Sequence, residues 1–436
     1  MKFLTQVAQT PPMGWNSFDC FGSAVTEAEV RANADYMAAH LKPHGWEYVV
    51  VDFCWSHPSP GPCHNPDQGS GYRPILSTDR WGRLVPAVAR FPSAAGGAGF
   101  KPLADYVHRL GLKFGIHVMR GIPRQVVHED LPICGGRHRA REAANVESTC
   151  TWLNHMVGVR ATEPAGQAYY DSLFELYAAW GVDFVKVDDI LADGSFDSDG
   201  PYHEVEIEAV ARAIERCGRP MVLSLSPGDA PKSAAGHVVQ YASMWRISAD
   251  FWDDWRRLKR QFDLCHWWTP HRQAGRWPDA DMLPIGRLAK RGPKGSERES
   301  WFTPDEHFTL LTLWSIFHSP LMMGGCLTDL DPFTRDLLTN DEVLAVNQRG
   351  SAGAQLLREG DYIVWTAAAP GGKARYAALF NIGDAPRRVR FEPGAHGLPA
   401  GSARDLWRKA AEPLVRGGIE RVLPAHGCAL LKLEAG

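Results

Sequence analysis

Three short runs in this chain end in carboxylates of the kind that attack carbon or move protons. In GVDFVKVDDI, side chains alternate across a strand, so Phe184, Lys186 and Asp188 share one face while Val185 and Val187 share the other. A lysine and an aspartate on one face of an apolar strand are costly to bury unless they are paired or open into a site. The ammonium would lower the carboxyl's pKa and keep Asp188 ionised, as a nucleophile requires. A structural ion pair is the competing reading. The second run, MWRISADFWDDW, begins β-like and reaches Asp250 just before a helical pattern. Asp250 is then either a reacting acid or a helix N-cap, and Asp253 and Asp254 could serve the helix's first turn. Arg246, on the same face by parity, could orient Asp250 or donate to substrate hydroxyls. The third run, YVVVDFCW, brings Asp52 to the end of a strand. Two carboxylates flanking a glycosidic bond are what its hydrolysis needs: one attacks, and the other protonates the leaving oxygen and then activates water.

The elements that must hold these groups follow an α/β pattern. Strands are expected near Met13–Phe18, Tyr48–Cys54, Lys113–Met119, Asp183–Asp189, Met221–Ser226, Met244–Ala249, Asp281–Ile285 and Leu321–Gly324. Eight strands alternating with helices suit a closed (β/α)₈ TIM barrel, whose active site lies at the carboxyl ends of the strands. Thr26 with Glu29 forms a capping box. Tyr169, Leu173, Leu176 and Trp180 make an apolar stripe closed by Gly181, and Asp305–His318 reads as a further helix. Near residue 350 the pattern changes to short alternating runs: Tyr362–Ala367, Ala374–Asn381, Arg387–Phe391, Ser402–Leu406 and Cys428–Leu433. The expected organisation is a catalytic barrel over residues 1–348 and a small antiparallel β-sandwich domain over 349–436.

The ordered motifs PPMGWNSF, YVVVDFCW, GLKFGIHVMRG, WGVDFVKVDD, WRISADFWDDW, WPDADMLPIG, SPLMMGG and EVLAVNQ resemble glycoside hydrolase family 27, the α-galactosidases and α-N-acetylgalactosaminidases. The resemblance implies a barrel with a C-terminal β domain and a two-step retaining mechanism without metal or organic cofactor. Position by position, it implies Asp188 as nucleophile and Asp250 as general acid/base. It places Lys186, Arg246 and Asp52 on sugar hydroxyls, and Trp15, Phe18, Phe53, His117, Ser226 and Asp281 among the substrate-binding positions. Departures bear on specificity. The second acid of the family's Asp-Asp-Cys-Trp motif is Phe53 here, LSLSPG has no acid before Pro227, and Phe18 stands where many members have Trp. A family disulfide from Cys150 to the residue after the nucleophile motif is excluded by Ile190. The leading expectation is exo-cleavage of terminal α-D-galactosyl or closely related residues. The alternatives are β-L-arabinopyranosidase, α-N-acetylgalactosaminidase or isomalto-dextranase-like activity. β-L-Arabinopyranose is galactose without the hydroxymethyl group, which Phe53 would crowd if it points into the pocket.

Other classes fit less well. Lys plus Arg is 47 and Asp plus Glu is 50, so the net charge of −3 offers no basic excess for nucleic acid. No apolar stretch is long enough to span a membrane. The opening MKFLTQVAQTPPMGW has no long apolar segment, so the chain as written reads as cytoplasmic, or periplasmic or secreted if a signal has been removed. Nine scattered cysteines imply no disulfide framework. The expected partner is an oligosaccharide or glycoside, and nothing in the sequence sets the oligomeric state. Sixteen tryptophans fit either core packing or sugar stacking; Trp252, Trp267 and Trp268 are candidates for a platform. Arg120 or Arg124 could contact an acidic neighbouring sugar, with Arg137, Arg139 and Arg141 adding charge nearby; loop ion pairs are the plainer reading. Cys150 falls near the same possible subsite. A calcium loop over Ser195, Asp197, Asp199, Gly200 and Glu206 lacks an acid at its first position, and His57, Cys63 and His64 lack zinc-ligand pairing. No metal is expected. A carbohydrate-binding protein without catalysis and a metal-dependent barrel hydrolase are the rivals from other classes.

Overall fold

The computed structural model describes residues 1–60, 75–191 and 201–436. Eight parallel strands form one sheet: β1 (Met13–Asn16), β2 (Tyr48–Val51), β3 (Lys113–Met119), β4 (Phe184–Asp188), β5 (Val222–Leu225), β6 (Met244–Arg246), β7 (Trp277–Asp279) and β8 (Leu321–Met323). Their order is β7-β6-β5-β4-β3-β2-β1-β8. A parallel bridge from Leu283, just beyond β7, to Met323 of β8 joins the two ends. The result is the expected barrel.

Parity along β4 is as read from the sequence. Phe184 belongs to the interior cluster with Tyr48, Val50, Val222, Met244, Trp277 and Met322. Val185 and Val187 pack outward among the helices. The barrel floor is therefore apolar, and Lys186 and Asp188 stand one and two steps above it toward the carboxyl ends. In the ladder, Lys186 pairs with His117 of β3 and Ser224 of β5, and Asp188 pairs with Met119.

The helices form where their signals stand. The helix α1 (Phe18–Phe21) follows β1 directly, so Phe18 starts a helix rather than ending a strand. In α2 (Glu27–Tyr36) the Thr26 side chain accepts from the Glu29 amide and the Glu29 carboxylate accepts from the Thr26 amide. Helix α3 is Lys101–Arg109, and α4 (Pro164–Trp180) ends on Gly181 at φ 85°, a backbone that glycine adopts without strain. Next come α5 (Glu204–Cys217), α6 (Ala235–Tyr241) and α7 (Trp255–Trp268). Helix α8 (Pro304–Phe317) is buried on nearly every face, because it lies between the barrel and the C-terminal sheet. Thr309 donates to the His426 carbonyl at 2.6 Å, and Trp407 donates to Thr312 Oγ1 at 2.8 Å across that junction.

The seventh strand is displaced from the expected Asp281–Ile285. It lies at Trp277–Asp279, where Pro278 lacks an N–H and hides the strand from propensity. The helix α9 (Asp341–Arg349) closes the barrel part of the chain. The remainder forms a six-stranded antiparallel sheet and a two-stranded ribbon. Its strands are β9 (Ser351–Glu359), β10 (Tyr362–Ala368), β11 (Arg375–Asn381), β12 (Arg387–Phe391), β13 (Ser402–Asp405), β14 (Ala410–Glu412), β15 (Ile419–Leu423) and β16 (Cys428–Glu434). The sheet runs β9-β10-β11-β16-β13-β14, and β12 pairs with β15. Sequence reading missed β9, β14 and β15. β9 and β14 are largely exposed and carry no apolar alternation to detect, while β15 buries only its end residues Ile419 and Leu423, with Arg421 between them on the same face.

Candidate active site

A cavity of about 470 Å³ opens at the carboxyl ends of the barrel strands, within the range of small-ligand sites. Its wall includes Asp52, Lys186, Asp188, Arg246, Asp250 and Asp281, with Phe18, Phe53, Trp152 and Trp252 as the aromatic part.

Asp188 is 7% exposed at the end of β4. His117 Nε2 lies 2.9 Å from its Oδ2, and Lys186 Nζ lies 3.7 Å from its Oδ1. Burial opposes ionisation, but the Lys186 ammonium and then the His117 ring hold the carboxyl well below the usual range. Oδ1 makes no hydrogen bond among the described residues. An ionised carboxylate with one unengaged oxygen at a cavity wall is suited to nucleophilic attack. Asp52 is held by Asn16 Nδ2 at 2.6 Å and by Lys186 Nζ at 3.1 Å. It too is kept below its ordinary pKa, with Lys186 and His117 outweighing burial.

Two strands along from β4, Arg246 Nη2 contacts Asp281 Oδ2 at 2.7 Å and Asp250 Oδ1 at 3.3 Å. Asp250 is not a helix cap: Asp254 caps α7, accepting from the Arg256 amide at 2.8 Å. Asp253 is instead paired with Arg298 at 2.6 Å. The Asp250 side chain is 57% exposed to the cavity opening, where a leaving group and water can reach it. Asp281 sits at φ 85° and Asp189 at φ 61°. Left-handed backbone at non-glycine residues gathers at functional sites because the surrounding bonds over-determine it. The Phe251 amide, at 2.7 Å from Oδ2, supplies one such bond to Asp281.

Family models match residues 154–349 as alpha galactosidase A and residues 359–433 as the alpha galactosidase C-terminal beta sandwich domain. The chain is 49% identical to the β-L-arabinopyranosidase of family 27 from Geobacillus stearothermophilus, covering 100% of this chain and 98% of that one at a TM-score of 0.94. The chain belongs to glycoside hydrolase family 27. A variant of the Geobacillus stearothermophilus enzyme, in complex with arabinose, matches at 49% identity over 100% and 99% of the two chains with a TM-score of 0.93. The α-galactosidase 2 of Arabidopsis thaliana is 27% identical over 98% of this chain and 90% of its own length.

In this family 27 glycoside hydrolase several expected site residues lie behind the pocket wall. Trp15 is fully buried and donates to the Gly325 carbonyl at 2.9 Å, so it braces β1 against β8. His117 and Ser226 are not on the cavity surface. His117 backs Asp188, and Ser226 Oγ lies 3.5 Å from Arg246 Nη1. Arg120 is 1% exposed and bound to Asp189 and Glu206, each at 2.8 Å. A cation with two buried carboxylates has no surface left for an acidic sugar. Arg124 and Cys150 also lie off the cavity; the Cys150 thiol bonds Asp189. Arg139 and Arg141 bind Asp130 and nearby carbonyls. Trp252 does line the cavity, but Trp267 and Trp268 pack on each other and on His271 and Trp245.

Among the metal readings, Ser195, Asp197, Asp199, Gly200, Cys63 and His64 lie outside the described residues, and Glu206 is engaged by Arg120. Glu204, Glu208 and His237 bring ligand atoms within 4.8 Å of one another, and none of them lines the cavity. Among the described residues, the eight cysteines form no disulfide. No helix among the described residues is long and apolar enough to cross a membrane. Sequence reasoning missed Asp19, Trp152 and Lys294, all on the cavity wall. Asp19 follows β1 at the active end of the barrel, a positional signal that was available. Trp152 and Lys294 lie in loops without periodicity, where no such signal exists.

Proposed function

We propose that this enzyme is a retaining exo-glycosidase preferring terminal β-L-arabinopyranosides. Asp188 attacks the anomeric carbon while Asp250 protonates the leaving oxygen, giving a glycosyl ester on Asp188. The Asp250 carboxylate then takes a proton from water, which displaces Asp188 and restores both groups. Lys186 keeps Asp188 ionised, and Arg246 with Asp281 fixes Asp250.

The observation that carries the sugar preference is Phe53. Its ring is 4% exposed on the cavity wall, with centroids 5.4 Å from His117, 6.0 Å from Trp152 and 6.4 Å from Phe18. An apolar ring so packed fills space and accepts no hydrogen bond, which suits a sugar without a hydroxymethyl group. The likeness to a β-L-arabinopyranosidase supports the same reading.

The test is hydrolysis of nitrophenyl glycosides. The β-L-arabinopyranoside should exceed the α-galactoside in kcat/KM by roughly 10- to 200-fold, the range for one pocket group. Phe53→Asp should move the ratio toward the α-galactoside. A wild-type preference for the α-galactoside would instead establish α-galactosidase specificity.

A further inference from the structure

Asp19 is a cavity-wall carboxylate to which the reaction scheme gives no role. It is 2% exposed, and its Oδ2 has no hydrogen-bond partner among the described residues. The other buried acids of the wall are all engaged: Asp52 by Asn16 and Lys186, Asp188 by His117, and Asp281 by Arg246 and the Phe251 amide. A buried carboxyl oxygen without a partner costs stability, so its presence at a cavity wall needs a compensating use.

Its placement is built rather than incidental. The Asp19 carbonyl accepts from the Ala289 amide at 2.9 Å, and the Cys20 carbonyl accepts from the Arg291 amide at 3.0 Å. These bonds fasten α1 to the segment after β7. Gly324, just past β8, gives the carboxyl its room: a Cβ there would stand 2.0 Å from Asp19 Oδ2. Burial first, and then the charge of Asp281, pushes the Asp19 carboxyl well above its usual range despite Lys186. A neutral carboxyl can both donate to and accept from one hydroxyl.

We propose that Asp19 is a substrate-binding residue, its carboxyl hydrogen-bonding one hydroxyl of the bound pyranose. The inference rests on the cavity being the glycoside site, and not on which pentose or hexose fills it. The missing partner of Asp19 is then supplied by substrate.

Three readouts test this, using whichever nitrophenyl glycoside the wild type cleaves. Asp19→Ala should lower kcat/KM roughly 10- to 100-fold, as for one lost hydrogen bond to a buried group, while leaving Tm unchanged or raised. Asp19→Asn, which keeps a neutral donor and acceptor, should recover most of that loss. Among the 2-, 3- and 4-deoxy analogues of the glycoside, one should be hydrolysed equally by wild type and Asp19→Ala. Undiminished kcat/KM in Asp19→Ala would overturn the proposal. So would a loss of the same size on all three deoxy analogues, which would mark a purely structural residue. If the wild type prefers the galactoside, the sugar reading fails while the Asp19 ratios, taken on galactosides, still decide this one.

Discussion

Arg120 Nη2 lies 2.8 Å from Asp189 Oδ2, which ties the residue after Asp188 to the end of β3. The same guanidinium holds Glu206 of α5, and Tyr170 of α4 bonds that carboxylate at 2.5 Å. Cys150 adds a thiol bond to Asp189. This buried cluster anchors the chain where it leaves β4, beside the pocket but outside it.

Arg120→Met should therefore act on stability before it acts on chemistry. Removing the cation strands two buried carboxylates, a loss of about 3–5 kcal/mol for such networks. Chemical denaturation should show that loss. An Arg120→Met protein of wild-type stability but altered sugar preference would mean that the guanidinium works in the pocket.

Lys186→Met should raise the pKa of Asp188, because burial then acts with less opposition. The proposed nucleophilic role needs an ionised Asp188, so the acid limb of the kcat/KM profile should move to higher pH. The rate at the optimum should also fall, by at least tenfold, since Asp52 loses its cation as well. An unmoved acid limb would show that Lys186 does not control the Asp188 charge.

The seventh strand predicts a separate pH effect. Burial and the neighbouring Asp281 push Asp279 up to about 7, with Arg246 acting against them. An acid whose folded pKa exceeds its unfolded value of about 4 binds protons more tightly when folded, so its contribution to stability declines as pH rises from about 4 to 7. Asp279→Asn removes that decline and can still accept from the Asp281 amide. Relative to wild type, the variant should gain stability between pH 4.5 and 7.5, by on the order of 2 kcal/mol. A difference that stays flat with pH would contradict the assignment.

The contrast between β4 and β7 shows what a sequence reveals of such a fold. In β4, two valines face helices and Phe184 faces the barrel, so alternation exposes both the strand and the polar pair above its floor. In β7, three residues with a central proline leave no pattern, and the strand is placed by its ladder with β6. Charged residues divide in the same way. Lys186 and Arg246 could be placed by parity on strands that face the cavity. Arg120 follows β3 at a bend, and only the fold shows that it turns away toward Asp189 and Glu206. Trp15 makes the same point: a motif position can belong to a site by supporting it from behind. Asp19, in α1 just past β1, was missed, and the lack of a partner for its Oδ2 is a property of packing that no local pattern encodes.

The most direct test of the account is the stereochemistry of azide rescue. With Asp188→Gly, azide should replace the missing nucleophile and give a glycosyl azide of inverted anomeric configuration from an activated nitrophenyl glycoside. With Asp250→Ala, azide should attack the glycosyl ester in place of activated water and give the azide of retained configuration. Inverted product from the first and retained product from the second would establish the two roles. The reverse pattern, or full activity in either variant without azide, would contradict them.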